Sequence, residues 1–588
     1  MQNLISSSDN DLDFDSIVYR PPAFNRITLH TKSRVFYGLD TEAMQCGRCF
    51  LVCTSEGDIW KGNEWIFKIF TRKYRSTSFV CWNLHYDMSA LLQILPRQSL
   101  SLLQTSGVCI FQDFQISIIG DKCLTIRRKS HSVHLYDIAS FYGCSLEAAA
   151  SMHLQEHKHG IDPQKFTAAY IRNNRTLISD YCIQDAKLTY KLTQILIKHF
   201  ESFGVYPQKL YSTAAISWAY FRTHCPYIHI KKEWRTNKEL LRYACLAYNG
   251  GKFEVTRKGP GHYTEYDIVS AYPYEISKLV DTRKARAIFE PRYRKNAIYS
   301  FLHCKIKIPV DLPNPVAIKN HGVCRFPCGE IIKVITKAEY EYFANNGADI
   351  TILTAWHLVV DNKQYPYKSE IEKLMEAKNQ YKREGDLLRY HTIKIFLNSL
   401  YGKMCQLIPV ENIIKAGSAW HPIYAAEITA NCRVRVTDKQ RCHPEIIAVH
   451  TDSIICNRPI DILQGSSLGS WELSQSGDGL ILGSGVYQIG DKTRFRGFRT
   501  KTPLIELIPQ SGRLLHQTTK QPLSWRQVAH RNLNPHRINR FEDTPKNLAL
   551  RFDTKRIWLD DYQSYAQVMN KNIDSLPLVW GMRRGCLQ

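Results

Sequence analysis

Apolar positions alternate with polar ones in short stretches through the first third of the chain. Arg34 to Leu39 and Cys49 to Thr54 read as β-rich runs, and helical spacing of apolar residues predicts helices over Met88 to Leu95 and Leu177 to His199. That is an α/β layout. Helix and strand alternate between about 206 and 280, where Tyr248-Asn249-Gly250-Gly251 is a turn signal joining the two halves of the chain. From about 281 to 362 the pattern is strand-like and broken by Pro309, Pro313, Pro315 and Pro327, which predicts a β-rich insertion. Tyr367 to Gly385 and Leu387 to Leu400 then read as an antiparallel helix pair turning near Gly385, with a further helix near Tyr424 to Val436. Residues 1 to about 30 read as a polar lead-in ending at Pro21-Pro22, and no repeat or low-complexity tract is evident.

A chain of 588 residues is too long for one core and implies roughly two to four domains. Lys and Arg outnumber Asp and Glu by 78 to 54, a formal charge of +24. Such a surplus calls for an anionic partner, and nucleic acid is the natural one, because each neutralised phosphate releases condensed counterions. The 32 Tyr and 24 Phe add stacking surfaces for bases, although most aromatic rings serve a core. The tail from 511 to 588 carries 13 Lys and Arg against 6 Asp and Glu, which fits a nucleic-acid clamp or an ordinary solvated face.

Met1 to Asp15 contains acids and no basic residue, unlike a secretory or transit leader, and no run approaches 18 apolar residues. A cytoplasmic protein, neither secreted nor membrane-bound, is expected. The 18 cysteines are irregularly spaced and are expected to be reduced. Cys46 with Cys49, or Cys324 with Cys328, would supply half a zinc site, but neither pair has a second half at suitable spacing.

Candidate chemistry lies in an ordered series of carboxylate-bearing segments. Asp40-Thr41-Glu42 places two acids on one face of a strand; Asp87 follows Asn83 at the start of a helical pattern; Asp185 follows Tyr181 by four, one helical turn on. Then come Asp267-Ile268-Val269-Ser270-Ala271-Tyr272-Pro273, the segment Lys394 to Gly402 with Lys382 upstream, and His450-Thr451-Asp452-Ser453. Several convergent carboxylates are what two divalent ions about 4 Å apart require. Any one segment is a weak signal, since an isolated acid near a helix start is usually a cap and a lysine on an exposed helix is usually solvated.

In this order and at these separations the segments resemble the family B DNA polymerases with a proofreading 3'-5' exonuclease, most closely the compact protein-primed branch of phages, adenoviruses and linear plasmids. The resemblance spans about residues 35 to 500. It implies an α/β and α+β multidomain fold: a ribonuclease-H-like exonuclease domain at 31–205, palm at 206–280 and 403–475, a β-rich insertion of the terminal-protein-contacting kind at 281–362, fingers at 363–402, and thumb with C-terminal region at 476–588.

For the exonuclease the resemblance implies metal ligands at Asp40, Glu42, Asp87 and Asp185, Tyr181 orienting the attacking water, and Asn83 at the primer end. For the polymerase it implies metal ligands at Asp267, Asp452 and the Ile268 carbonyl. Tyr272 would lie under the deoxyribose, Tyr401 against the incoming base, and Lys382, Lys394 and Asn398 at the triphosphate. Tyr248, Gly250, Gly251, Ser399, Gly402 and Tyr487 would contact DNA. Two Mg2+ ions per site, with Mn2+ as the alternative, a DNA template and primer, deoxynucleoside triphosphates, a terminal protein as primer and a monomeric state complete the expectation.

Two departures stand out. His450 occupies the place of the first Asp of the family's Asp-Thr-Asp, and Gly485-Val486-Tyr487 lacks the Lys of a Lys-x-Tyr segment, leaving Lys492, Arg494, Arg496 or Lys501 for the phosphate contact. The interval between Gly402 and His450 is short, so the branch's second insertion is expected to be truncated and unaided strand displacement is in question. Two other readings use the same residues: an exonuclease whose polymerase half has decayed, and a non-catalytic DNA- or terminal-protein-binding replication factor.

Overall fold

A computed structural model describes residues 14–20, 32–162, 165–226, 228–320, 322–410, 413–496, 502–509 and 514–581. Lys501 and most of the expected lead-in fall outside them.

The N-terminal unit is built on an eight-stranded sheet. Phe36–Ala43 lies near its middle, antiparallel to Cys49–Thr54 on one side and parallel to Ser78–Cys81 on the other. The long Arg175–Ser202 helix crosses this strand closely, and Gly38 makes the approach possible: a Cβ there would sit 1.9 Å from the Ala186 carbonyl oxygen.

A nine-stranded sheet forms the second half. Arg257–Ile268 is paired with Ser453–Cys456 on one side and Trp471–Gly483 on the other, and Ile446–Thr451 turns directly into Ser453–Cys456. The sheet continues through Val486–Ile489 to Lys492–Phe495. The boundary expected at 475/476 therefore falls inside a strand. Above the sheet, Lys368–Glu384 and Leu387–Ser399 form the expected helix pair, reversing at Gly385, whose φ of 73° is the left-handed cap that glycine favours.

The β-rich insertion forms a five-stranded sheet with one helix, Lys337–Asn345, against it. Its fifth strand, Val579–Trp580, comes from the C-terminal end of the described chain. Among the described residues, the 403–449 interval holds the end of the Tyr401–Met404 helix and a hairpin, Leu407–Val410 with Ile413–Ala416, before the Pro422–Cys442 helix. Ile17–Val18 pairs in parallel with that hairpin, and Phe14, Ile17 and Tyr19 are buried, with Phe14 and Tyr19 against Trp234 and Tyr19 also against Trp420. This stretch is thus part of the core, and the polar lead-in reading does not hold for it, because three apolar side chains outweigh the acids around them.

Candidate functional site

Two clusters of carboxylates form on separate sheets. In the N-terminal unit, the Phe36–Ala43 strand presents Asp40 and Glu42, the Leu84–Leu91 helix presents Asp87, and the Arg175–Ser202 helix presents Tyr181 and Asp185. Asn83 begins its helix in the left-handed region at φ 64°. Asp137, at the end of a neighbouring strand, accepts from the amides of Asn83 at 2.9 Å and Leu84 at 3.3 Å, fixing the helix start and so the direction of Asp87. Thr41 Oγ1 donates to Asp87 at 2.8 Å.

Burial, and then the neighbouring carboxylates, push Asp40 and Glu42 well above the ordinary acidic range, and burial raises Asp87 to about 7. Lys158 Nζ lies 2.5 Å from Asp185 Oδ2 and over the Tyr181 ring at 5.3 Å, offsetting part of this repulsion. Asp185 Oδ1 is buried with no hydrogen-bond partner among the described residues. Four repelling carboxylates and an orphaned oxygen are a donor set that divalent cations fit.

The second cluster lies where the Arg257–Ile268 strand ends. Asp267 stands opposite Ser453 and Glu472 in the ladder, and the Ile268 amide donates to the Asp452 carbonyl at 3.0 Å. Ser270, at φ 51°, turns the chain into the Ala271–Ser277 helix, and Thr451, at φ 67°, makes the tight turn that presents Asp452. Burial, then the charge of Asp452, raises Asp267 to about 7; burial likewise raises Asp452. Here too the donors are hard oxygens, and cations fit them.

Asp267, Asp452, Tyr272, Lys394 and Asn398 line one cleft of about 360 Å³. Lys378, Tyr390 and Glu472 share it, and sequence reasoning missed all three. Lys378 Nζ donates to Ser270 Oγ at 3.1 Å, and burial together with Lys394 lowers its pKa. Lys382, the lysine expected here, is exposed one turn further along the same helix and does not line the cleft. The available signal was the four-residue spacing of Lys378 from Lys382, which puts both on one helical face.

Tyr272 stacks on Tyr401 with centroids 4.6 Å apart, and the Tyr401 and Tyr248 hydroxyls are hydrogen-bonded at 2.6 Å. The Tyr-Asn-Gly-Gly linker is thereby tied to the floor of the cleft. A Cβ on Gly251 would meet Thr451 Cγ2 at 2.6 Å, whereas one on Gly250 would meet open space. Gly402 also faces open space, and Ser399 is half-buried at the end of its helix.

Neither ring nitrogen of His450 has a hydrogen-bond partner among the described residues. Its ring is buried between Phe253 at 4.5 Å and Tyr487 at 4.9 Å, and burial lowers its pKa to about 3. Tyr487 is buried as well, its hydroxyl donating to Glu265 at 3.1 Å. Of the cations expected near this segment, Lys492, Arg494 and Arg496 are exposed.

Comparison with known proteins places these clusters in context. Residues 59–415 match the family model described as DNA polymerase type B, organellar and viral. Phi29 DNA polymerase in its ternary complex with primer-template DNA and incoming nucleotide superposes with a TM-score of 0.63 at 14% identity. That alignment covers 88% of this chain and 100% of that one. Phi29 DNA polymerase complexed with single-stranded DNA superposes at 0.60, again with 14% identity and the same coverage. At such identity the likeness is one of fold. No curated protein matches the sequence.

Proposed function

Because the chain belongs to the organellar and viral type B DNA polymerases, we propose that its two carboxylate clusters divide the work of that family, one extending a DNA primer and the other removing nucleotides from its 3' end. The observation that carries this reading is the separation of the clusters. Each has its own raised-pKa acids, on its own sheet, with no carboxylate in common.

At the polymerising site, Asp267, Asp452 and the Ile268 carbonyl would hold two divalent ions, Mg2+ by preference. Such ions lower the pKa of the primer hydroxyl and neutralise triphosphate charge. Lys394 and Lys378, with Lys382 behind them, place cations where charge develops on the departing pyrophosphate, and Asn398 adds a polar contact. Tyr272, braced by Tyr401, closes the space a 2'-hydroxyl would need and so selects deoxynucleotides. Tyr248, Gly250, Gly251, Ser399 and Gly402 would follow the template backbone.

At the hydrolysing site, Asp40, Glu42, Asp87 and Asp185 would hold the ions, Tyr181 would orient water, and Asn83 would touch the frayed primer end. Lys158 supplies a cation beside the phosphate that gains charge during hydrolysis. A protein-primed start is supported by the β-rich insertion between the Asp267 segment and the finger helices. In this reading the enzyme acts as a cytoplasmic monomer replicating a small viral or plasmid-like genome from a terminal protein.

The test is a labelled primer-template incubated with Mg2+. Lengthening with deoxynucleotides and shortening without them is the expected result; binding of DNA with neither change would overturn the proposal.

A further inference from the structure

The hydrolysing cluster contains a group that the proposed chemistry does not use. Cys182 lies one residue after Tyr181 and three before Asp185 on the same helix, and it is fully buried. Its sulfur and one carboxylate oxygen each of Asp40 and Glu42 lie within 4.8 Å of one another. Among the described residues this is the one group of three or more His, Cys, Asp or Glu side chains close enough to share an ion. The thiol contacts the Asp40 carbonyl oxygen at 3.5 Å and the Cys53 thiol. Asp185, 4% exposed, adds a carboxylate oxygen that has no hydrogen-bond partner among the described residues.

The donor set is therefore mixed. Oxygen ligands suit Mg2+, which needs near-ideal octahedral geometry and does not favour sulfur. Zn2+ and Cd2+ accept thiolate and carboxylate together in smaller coordination shells. We propose that Cys182 is a soft ligand of this site, so that the Asp40/Glu42/Cys182 group captures Zn2+ or Cd2+ and holds the hydrolysing centre in an inhibited state that Mg2+ alone does not produce. Ligation releases the thiol proton to solvent as the sulfur–metal bond forms; no redox change is involved. The proposal rests on this cluster being a divalent-ion site.

The test uses the full chain and Cd2+ as probe, reading the ultraviolet sulfur-to-cadmium charge-transfer band and the number of Cd2+ bound. Many other cysteines are present, so the informative quantity is a difference. Cys182→Ser and Cys182→Ala should each lose one equivalent and the matching part of the band, and Asp40→Asn/Glu42→Gln should weaken the same equivalent. The Zn2+ concentration that halves primer shortening, each variant normalised to its own Mg2+-supported rate, should rise at least about tenfold on removing the sulfur.

An unchanged cadmium stoichiometry and band in both Cys182 variants would overturn the inference, even if Asp40→Asn/Glu42→Gln abolishes shortening and so leaves the hydrolytic reading standing. Loss of the equivalent in a chain that never shortens primers would support the soft-metal site while removing the hydrolytic reading.

Discussion

Asp40, Glu42, Asp87 and Asp267 share one electrostatic condition: each is held above its usual range by burial, with other carboxylates nearby. A carboxyl whose folded pKa is raised stabilises the fold below its unfolded value near 4, and that contribution is lost as pH climbs through the folded value, here about 7 for Asp87 and Asp267. Ion-free protein should therefore weaken between about pH 4 and pH 7, and a bound divalent ion should offset the loss. Thermal unfolding should show a larger Mg2+-induced rise at about pH 8 than at about pH 5; equal rises would contradict the clustering. His450 offers a second residue-scale test. The sequence alone suggests that His450→Asp would restore a missing metal ligand, but between Phe253 and Tyr487 it would place a carboxylate against two rings. We expect His450→Asp to cost about 3 kcal/mol or more of unfolding free energy and His450→Phe under about 1.5 kcal/mol. A stable His450→Asp protein with a lower Mg2+ requirement would contradict this account of position 450.

Single elements carried most of what was legible in the sequence. Asp40 with Glu42, Asp87 after Asn83, Asp185 after Tyr181, and the helix pair around Gly385 are each set by local periodicity and turn chemistry. Asp137 and Lys158 act across elements, so no local spacing marked them, whereas Lys378 was open to reading from its spacing to Lys382 on one helix. Arg433 is the clearest instance. Fully buried on the Pro422–Cys442 helix, it donates to the Asn249 and Gly250 carbonyls at 2.7 Å each, to Pro315 O at 3.0 Å and to Glu339 at 2.6 Å. It joins the palm helix, the Gly-Gly linker and the insertion at one point. Glu339 also closes a capping box with Thr336. Arg433→Met should cost about 3–5 kcal/mol in chemical unfolding, because it strands the Glu339 charge. Adding Glu339→Gln should recover part of that loss, since Gln still completes the box. No recovery in the double variant would mean that the linker carbonyls, and not the charge, dominate.

At the scale of the molecule, the short 403–449 interval leaves little to enclose DNA, and a different contact joins the ends of the structure. The hairpin Leu514–Pro522 with Phe541–Ala549 carries the Trp525–His530 helix to the N-terminal unit. There Trp525 is fully buried with Leu523, Val528 and Ile538 in the core of the first sheet. The Trp525 amide donates to Ser89 at 3.3 Å, Gln93 to the Ile538 carbonyl at 3.0 Å, and Arg526 pairs with Asp121 at 3.1 Å. The sequence could not reveal this, because the contact joins residues more than four hundred positions apart. Trp525→Ala should cost about 3 kcal/mol or more at the contact. If the contact keeps DNA enclosed, it should also shorten the product made per binding event in the presence of a DNA trap; unchanged product length would make it purely structural. The central claim is that two separate carboxylate clusters perform two reactions. A labelled primer-template assayed in parallel with Asp40→Ala/Glu42→Ala and with Asp452→Asn tests it most directly. The account predicts that the first variant extends but no longer shortens and the second shortens but no longer extends. Shortening at the original rate in the first, or extension surviving in the second, would contradict it.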